Sequence, residues 1–193
     1  MNKKIVLASA SPRRRDLLES VGLEFEVIPS EIEENIENKS FSCELVESIA
    51  FEKVLDVAEK VDFSAVIIGS DTVVVIDEKI LGKPKDEKDA FSMLKLLNGR
   101  IHKVISAIVM YDTETKKTVK TSVTSEVVFR EIAESEIWNY IKTGEPADKA
   151  GAYAIQGRAG IFVKEIKGCY SNIVGISVYK TAEMLKKFGV NLL

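Results

Sequence analysis

The spacing of hydrophobic and polar positions changes several times along the chain, and each change marks a predicted element. A short apolar run over residues 5–8 predicts a strand, and the apolar positions within residues 17–21 predict a helix after it. Ser11 suits the N-cap of that helix, and Pro12 suits its first position because the missing N–H of proline would be unpaired there. Gly22 ends the helix, so the chain opens as strand, tight turn and helix.

Strand and helix patterns then follow one another along the rest of the chain. The first half continues with an extended segment over residues 25–28, a loop over 30–42, a helix over 43–61, strands over 66–68 and 73–76 separated by the polar residues 69–72, a short strand at 80–81 and a helix over 87–97. The second half has a long hairpin of strands 101–111 and 118–130, a helix over 134–143, a strand over 161–166 and a final helix over 177–188. This order predicts an α/β chain with a mixed sheet, and we expect residues 1–193 to form a single domain.

Composition and charge narrow the class of protein. The chain has 193 residues, of which 46% are hydrophobic and 30% are charged, and its net charge is −3. Such a balance gives no basic field that would attract nucleic acid or a membrane surface, so neither is an expected partner. Two distant cysteines, Cys43 and Cys169, favour free thiols in a reducing compartment. Since no apolar run reaches the ~18 residues of a membrane span, we expect a cytoplasmic protein.

Three arginines, Arg13, Arg14 and Arg15, stand in the first turn of the first predicted helix. The helix dipole favours anions at this end by roughly 0.3–1 kcal/mol, so cations placed there oppose it. Free N–H groups, the dipole and guanidinium groups together would bind a phosphate. The alternative is a charged first turn that faces solvent.

Asp71 and Lys53 are the next candidate functional residues. Asp71 stands in a largely apolar segment, and burial of an unpaired ion costs several kcal/mol, so it needs a cation, a metal or a substrate as partner. Gly69 and Ser70 before it suggest a close backbone approach at a strand end, whereas the alternative is an aspartate in a turn at a strand break. Lys53 falls inside the apolar stripe of the 43–61 helix, where it would either hold a phosphate or extend its ammonium group to solvent.

Loops supply the remaining candidates. The acidic run of residues 31–34 is either a Mg²⁺ site or a solvated charge run. A rigid turn at residues 82–84 presents Lys83, and residues 144–151 form a polar loop of the kind that carries function. The single histidine, His102, is expected to be structural. Carboxylates, lysines and arginines around a phosphate site fit metal-assisted attack of water on a phosphate.

Four motifs together point to one family. They are Leu7-Ala8-Ser9-Ala10-Ser11-Pro12-Arg13-Arg14, Ile68-Gly69-Ser70-Asp71-Thr72-Val73-Val74, Gly82-Lys83-Pro84 and the segment from Asp148 to Gly157. In this order they resemble the Maf family of nucleoside triphosphate pyrophosphatases. The resemblance implies an inosine-triphosphatase-like α/β fold, with an elongated mixed sheet, flanking helices and two lobes around a cleft. It also implies hydrolysis of a nucleoside triphosphate to the monophosphate and pyrophosphate with a divalent cation, Mg²⁺ or Mn²⁺, while a homodimer stays an open question.

The resemblance also implies roles for individual residues. Asp71 looks like the family's catalytic proton acceptor, and Glu34 looks like the carboxylate that holds the metal with it. The substrate ligands expected from the motifs are Ser9, Arg13, Arg14, Lys53, Thr72, Lys83 and Gln156. Among them, Arg13, Thr72 and Gln156 resemble the markers of the subfamily that cleaves dTTP and UTP; the sister subfamily, which cleaves 7-methyl-GTP, has Trp, Gln and Glu at those places.

The chemistry of Gln156 agrees with this specificity. Its amide offers a donor and an acceptor, which match the O4 and N3–H edge of thymine or uracil. A site built to hydrogen-bond one base rejects a base that leaves its polar groups unpaired. The sequence therefore predicts a pyrophosphatase acting on dTTP and UTP, with modified pyrimidine nucleotides as an open extension. The alternative is a non-catalytic nucleotide-binding regulator of cell division, and release of pyrophosphate would distinguish the two.

Overall fold

The computed structural model of the protein describes residues 3–32 and 41–193. Within them, the strands are β1 (Lys4–Leu7), β2 (Glu26–Val27), β3 (Ala65–Ile76), β4 (Lys79–Leu81), β5 (Ile101–Asp112), β6 (Thr118–Phe129) and β7 (Val163–Lys167). The α-helices are α1 (Pro12–Glu19), α2 (Cys43–Lys60), α3 (Glu87–Leu97), α4 (Glu134–Ile141), α5 (Tyr170–Val174) and α6 (Val178–Lys186). Short 3₁₀ turns at Glu145–Asp148, Ala150–Ala152 and Arg158–Phe162 lie between α4 and β7.

The strands of the described residues form one mixed sheet. Its order is β2-β1-β3-β5-β6-β7, and β4 pairs with β3. β1 runs parallel to β2 and β3, whereas the pairs β3–β4, β3–β5, β5–β6 and β6–β7 are antiparallel. The predicted long hairpin is confirmed as β5 and β6. The predicted α/β class, with a mixed sheet flanked by helices, is confirmed as well.

Alternating side chains of β3 divide the interior into separate cores. On one face, the apolar stripe of α2 packs against odd-numbered positions of β3 such as Ile67 and Val73. On the other face, Ile68 belongs to a core with residues of α1 and α6, while Val74 belongs to a core with residues of α3 and α4. The polar residues Ser70 and Thr72 lie between these last two positions along the strand. The interior of this face is therefore in two parts with a polar boundary between them.

β3 is continuous through the polar residues 69–72, so the prediction of two separate strands is wrong. β5 pairs with each of these residues and keeps them in strand geometry. A Cβ atom on Gly69 would lie 2.4 Å from Cγ2 of Val54 and 2.7 Å from the carbonyl oxygen of Ala50, both on α2. Gly69 therefore marks a close approach, as the sequence suggests, but of a helix in mid-strand rather than at a strand end.

The edge of β3 away from β5 has a gap in its pairing. β1 pairs with residues 65–68 and β4 pairs with residues 74–76. In the described part of the chain, residues 69–73 have no strand beside them on that edge. The carboxyl end of β1 lies at this gap, and the chain turns there into α1. This stretch of β3 therefore lies beside the N-terminus of a helix with no strand between them among the described residues.

Short elements account for the remaining differences between prediction and structure. α5 has five residues, which is too few for a helical period to show in the sequence. β7 begins at Val163 instead of residue 161, because residues 158–162 form a 3₁₀ turn. Across the residues that the structure describes, no helix has the length and apolar character needed to cross a membrane.

Candidate active site

A pocket of about 390 Å³ opens at the gap beside β3. Its walls come from the turn into α1, from α2, β3 and the turn after β4, from the loop that follows α4 and from the end of α5. The pocket brings together every site residue singled out by the sequence that lies in the described part of the chain: Ser9, Arg13, Arg14, Lys53, Asp71, Thr72, Lys83 and Gln156. Segments far apart in sequence therefore meet at one cavity.

The N-terminus of α1 lies at the pocket, as the sequence predicts. Pro12 occupies its first turn, and the Ser11 side chain caps none of the helix N–H groups. The Ser11 N–H itself donates to Oγ of Ser9 at 3.2 Å. The first turn contains no acidic residue, and Arg13 lines the pocket. This end of the helix offers the positive end of its dipole and the arginine to an anion.

Arg14 joins three parts of the pocket wall. Its Nε donates to the carbonyl oxygen of Gly175 at 3.0 Å, Nη1 donates to Oγ of Ser9 at 3.1 Å, and Nη2 donates to Oγ1 of Thr72 at 3.1 Å. Because the guanidinium group is planar and its donors point in fixed directions, these bonds set α1, β3 and the end of α5 relative to one another. The structure thus gives Arg14 a bracing role, and contact with a substrate stays a prediction.

The carbonyl oxygen of Gly175 is a point where several donors converge. In addition to the arginine just described, Oγ of Ser70 donates to it at 3.0 Å and Oγ1 of Thr72 at 3.2 Å. Oγ1 of Thr72 also lies 2.9 Å from Oγ of Ser106, which donates to the carbonyl oxygen of Asn172 at 2.9 Å. Gly175 has φ +148°, a conformation that requires glycine. The polar boundary on this face of the sheet is therefore satisfied internally.

Asp71 and Lys53 form a buried ion pair at the pocket. Nζ of Lys53 donates to Oδ1 of Asp71 at 2.6 Å, and the two residues are 6% and 3% exposed. The lysine comes from α2 and the aspartate from β3, which Gly69 brings close together. A buried carboxylate needs such a partner, because desolvation of a single charge costs several kcal/mol. Two alternatives left open by the sequence are thereby excluded: Lys53 does not extend to solvent, and Asp71 is not in a turn.

A second, more exposed ion pair lies in the loop that follows α4. The Lys149 ammonium group pairs with the Asp148 carboxylate. This hydrogen bond, with a smaller contribution from the charge of Arg13, holds the pKa of Asp148 below its usual value. Arg15, in contrast, is half exposed and lies 3.7 Å from Glu19 within its own helix. The arginine cluster is therefore divided, because Arg13 and Arg14 line the pocket and Arg15 pairs on the surface.

Lys83 and Gln156 are exposed residues on two neighbouring loops at the pocket mouth. The Gly151 N–H donates to the carbonyl oxygen of Gly82 at 3.0 Å, which holds the two loops side by side. Their side chains face a common cavity, while Lys53 and Asp71 lie at its buried end. The pocket thus has cations at both ends and an amide at its rim.

His102 supports the pocket wall from inside the core. It is 2% exposed, its Nε2 lies 2.8 Å from the hydroxyl oxygen of Tyr153, and its ring packs edge-on against Phe129. Burial lowers the pKa of His102 to about 4, so the ring is neutral at pH 7. Because Tyr153 lines the pocket and His102 lies behind it, the position fits the structural role expected for the histidine.

Glu34, the second predicted metal ligand, lies outside the described residues. Ile32, two residues before it in the sequence, lines the pocket. Within residues 3–32 and 41–193, no group of three His, Cys, Asp or Glu side chains is placed to hold a metal ion. Mg²⁺ is commonly bound through one or two carboxylates together with substrate phosphates and water. The Asp71 carboxylate lies at the pocket and is a group of that kind.

Two residues that support the site, Gly175 in the pocket wall and Ser106 behind Thr72, were not identified from the sequence. The role of Gly175 depends on a carbonyl oxygen and a φ angle, neither of which has a signature in a single sequence. Ser106 has a weak one, since it is a small polar residue in the middle of an apolar strand. Such a residue in a sheet interior needs a hydrogen-bond partner, and the carbonyl oxygen of Asn172 provides it.

Comparison with known proteins identifies the family. A family model described as "Maf-like protein" matches residues 4–188. The chain belongs to the Maf family. The dTTP/UTP pyrophosphatase of Clostridium botulinum (strain Eklund 17B / Type B) is 50% identical over 185 residues, covering 95% of this chain and 98% of the relative. The dTTP/UTP pyrophosphatase of Ruminiclostridium cellulolyticum is 49% identical over 192 residues, covering 99% of each.

These relatives confirm the resemblance that the four motifs indicate. The match to the Maf model includes all of those motifs, so the pocket lies within the Maf-like part of the chain. Among solved structures, the Ham1 protein of Staphylococcus aureus is 18% identical, with a TM-score of 0.43, and the likeness covers 66% of this chain and 72% of that chain.

Proposed function

We propose that this protein is a nucleoside triphosphate pyrophosphatase that hydrolyses dTTP and UTP to the monophosphate and pyrophosphate. The observation that carries the proposal is the charge of the pocket. Among the described residues, its lining includes five cationic side chains and two carboxylates, in a chain whose net charge is −3. A cationic cavity with one buried carboxylate suits a polyanion that reacts with water. The names of relatives at about half identity support the same activity.

In the proposed reaction, Asp71 accepts a proton from the attacking water. The water oxygen forms a bond to the α-phosphorus, the bond from that phosphorus to the oxygen bridging to the β-phosphorus breaks, and pyrophosphate leaves with its electron pair. Arg13, Lys53 and Lys83 bind the triphosphate and stabilise the charge that develops on the leaving group. Lys53 also compensates Asp71 when no substrate is bound, as their 2.6 Å contact shows.

The Maf family is one of nucleotide pyrophosphatases, and such enzymes generally use a divalent cation. We propose that Asp71 and Glu34 hold Mg²⁺ or Mn²⁺ in this protein, since carboxylate oxygens are ligands that these ions favour. When bound, the ion would offset phosphate charge and polarise the reacting phosphoryl group. Asp71 is positioned for this by β3 and by the ion pair with Lys53.

The preference for a pyrimidine base is proposed to come from the pocket rim. Gln156 presents an amide to the cavity, which can pair with the O4 and N3–H groups of thymine or uracil. Thr72 and Arg13 occupy the other two marker positions, and Ser9 and Arg14 complete the proposed substrate-binding set. In this proposal residues 1–193 act as one domain, and the protein works in the cytoplasm, where nucleoside triphosphates are available as substrates.

The test is release of pyrophosphate from a panel of nucleoside triphosphates by the purified chain, with Mg²⁺ and with Mn²⁺. We expect dTTP and UTP to be cleaved with the highest kcat/KM, and the monophosphate and pyrophosphate to appear in equal amounts. Tight binding of dTTP without pyrophosphate release would favour the non-catalytic regulator instead. Release of single orthophosphates would contradict attack at the α-phosphorus.

A further inference from the structure

Gln156 reaches the pocket from a tight turn of the backbone. The Gly157 N–H donates to the carbonyl oxygen of Ala154 at 3.1 Å, which places Ile155 and Gln156 at the corners of that turn. Ala154, Ile155 and Gln156 all line the cavity, and Gln156 is exposed. An exposed amide on a turn selects a base only if the backbone beneath it is fixed, because base pairing depends on the direction of its donor and acceptor.

A carboxylate outside the pocket lining fixes this turn. Oε2 of Glu145 accepts a hydrogen bond from the Arg158 N–H at 3.1 Å, directly after the turn. Oε1 of the same carboxylate accepts a hydrogen bond from the hydroxyl group of Tyr140 at 2.9 Å. Glu145 does not line the cavity among the described residues, and its carboxylate reaches the pocket wall through this contact with the turn. Its two oxygens connect the backbone after Gln156 to helix α4.

The anchor on α4 is rigid. Tyr140 is 4% exposed, and its ring packs edge-on against Phe162 with ring centres 5.3 Å apart. Burial, reinforced by the hydrogen bond to Glu145, raises the pKa of Tyr140 above its usual value. The phenol is therefore a neutral donor to Glu145 at pH 7.

Gly157 has a spatial reason to be glycine. A Cβ atom there would lie 2.1 Å from Oε1 and 2.7 Å from Oε2 of Glu145. Its φ of −115° is open to any residue, so backbone conformation does not require glycine at this position. The carboxylate lies against the turn where any side chain would displace it. The position of the Glu145 carboxylate therefore depends on the absence of a side chain at residue 157.

We propose that Glu145 is a positioning residue for base specificity, which holds Gln156 in the direction that reads the pyrimidine edge. The inference rests on the proposed function and adds to it a residue that touches neither base nor phosphate. Loss of Glu145 frees the turn, so Gln156 samples directions in which its amide pairs equally well with either kind of base edge. Discrimination between bases should fall, while chemistry at the phosphate is largely retained.

The experiment compares dTTP with dCTP, whose base carries a donor at position 4 and an acceptor at N3, the reverse of thymine. For wild type and variants, kcat and KM are measured for both nucleotides, and their dissociation constants are measured by calorimetry without turnover. We expect Glu145→Ala to lower the dTTP:dCTP ratio of kcat/KM by about tenfold, mainly through KM, the order expected for loss of one directing hydrogen bond. Glu145→Gln keeps one acceptor oxygen and should lower the ratio by about threefold.

Gly157→Ala provides an independent arm, since it displaces the carboxylate without removing it. Alone it should lower the ratio by about tenfold, as Glu145→Ala does. If both act through the same contact, the double variant is no worse than either single variant, whereas independent effects would multiply to about 100-fold. The matched control is Glu183→Ala, which removes a carboxylate that also accepts a hydrogen bond from a tyrosine hydroxyl group, that of Tyr179 at 3.0 Å, but lies on α6 and not at the turn. Its ratio should equal that of wild type.

The outcomes separate the two proposals. An unchanged dTTP:dCTP ratio in Glu145→Ala, in turnover and in binding, overturns the positioning role, as would multiplicative effects in the double variant. A parallel loss for both nucleotides, with the ratio kept, also overturns it and assigns Glu145 to stability alone. If the wild-type chain releases no pyrophosphate, the proposed function fails, and the ratio of dissociation constants still tests Glu145.

Discussion

Asp71 and Asp112 are both 3% exposed aspartates, and each is paired with a lysine. Burial raises the pKa of Asp112, but hydrogen bonds from Lys3 and from N–H groups of the following turn outweigh it and hold the pKa at about 2. Asp112 thus organises a hairpin turn, while Asp71 lines a cavity. Burial and a lysine partner do not by themselves mark a catalytic residue, and access to a pocket is what distinguishes the two.

The contrast gives a prediction for Asp71→Asn. The amide cannot accept the proton of the attacking water, so kcat for dTTP should fall by about 10²–10⁴-fold. The shape of the side chain is preserved, so KM should change far less. Steady-state kinetics with pyrophosphate detection, together with a circular dichroism spectrum to verify folding, provide the measurement.

Asp112→Asn is the control for this prediction, since it removes an equally buried carboxylate from a lysine partner at a distance from the pocket. It should lower the free energy of unfolding and leave kcat near that of wild type. Turnover by Asp71→Asn within threefold of wild type would exclude Asp71 as the proton acceptor.

At the scale of elements, the contact between α2 and β3 sets the site. Both members of the ion pair at the pocket lie on these elements, and their separation depends on Gly69. The atoms nearest a Cβ at that position are a methyl group of Val54 and the backbone oxygen of Ala50. A backbone oxygen cannot turn away as a side chain can, so a larger residue must push the helix from the strand.

Gly69→Ala should therefore lower the free energy of unfolding by about 1–3 kcal/mol and reduce kcat/KM as well, because the shift of α2 carries Lys53 away from Asp71. Urea denaturation and steady-state kinetics measure the two effects. Val54→Ala removes the nearer obstacle, so in the double variant the loss of stability should be smaller than the sum of the two single losses. A full sum would show that the contact with Val54 contributes nothing and would leave the carbonyl oxygen of Ala50 as the obstacle.

The sequence predicts most helices and strands, but the prediction is wrong where tertiary contacts determine the secondary structure. Helix α2 and the β5–β6 hairpin have enough residues for their period to show. Residues 69–72 read as a break because glycine and polar residues are rare in strands, yet the helix contact and the bonds to the Gly175 carbonyl satisfy them in place. The motif residues lie at the pocket as expected. The contacts of Glu145 with Tyr140 and with the Arg158 N–H depend on the fold, and no pattern in the sequence predicts them.

At the scale of the molecule, the pocket depends on the assembled sheet. Its lining extends from residue 8 to residue 175, and the parallel pair of β1 and β3 joins segments about 60 residues apart. Long-range pairs of this kind form late, because loop closure must precede the contacts that stabilise it. No short fragment of the chain contains both ends of the pocket.

Stability of the whole molecule should depend on pH through His102. Its pKa is about 4 in the folded state against 6.5 for the free side chain, so the unfolded chain binds a proton that the folded protein does not. The free energy of unfolding should therefore fall as the pH drops from 6.5 towards 4, by about 2 kcal/mol between pH 7 and pH 5. Urea denaturation at these two pH values measures the loss.

His102→Gln keeps a partner for Tyr153 and removes the titration, so the variant should lose much less stability over this interval. Asp112 and Glu136 have folded pKa values of about 2, and their contributions are lost only at lower pH, below the window of the histidine. An equal loss between pH 7 and pH 5 in wild type and His102→Gln would assign the dependence to other groups.

The carbonyl of Gly175 has a consequence for how the pocket tolerates change. Three donors from α1 and β3 share that one oxygen, so removal of any one of them leaves two in place. Redundancy of this kind lets Ser70, whose hydroxyl group makes only this bond among those described, vary at modest cost. Gly175 itself has no such redundancy. At its φ of +148° any other residue would be strained, and a rotation of the peptide to relieve the strain would detach all three donors at once. In this wall, substitution of a single donating residue should therefore be tolerated better than substitution of Gly175, whose carbonyl oxygen accepts all three bonds.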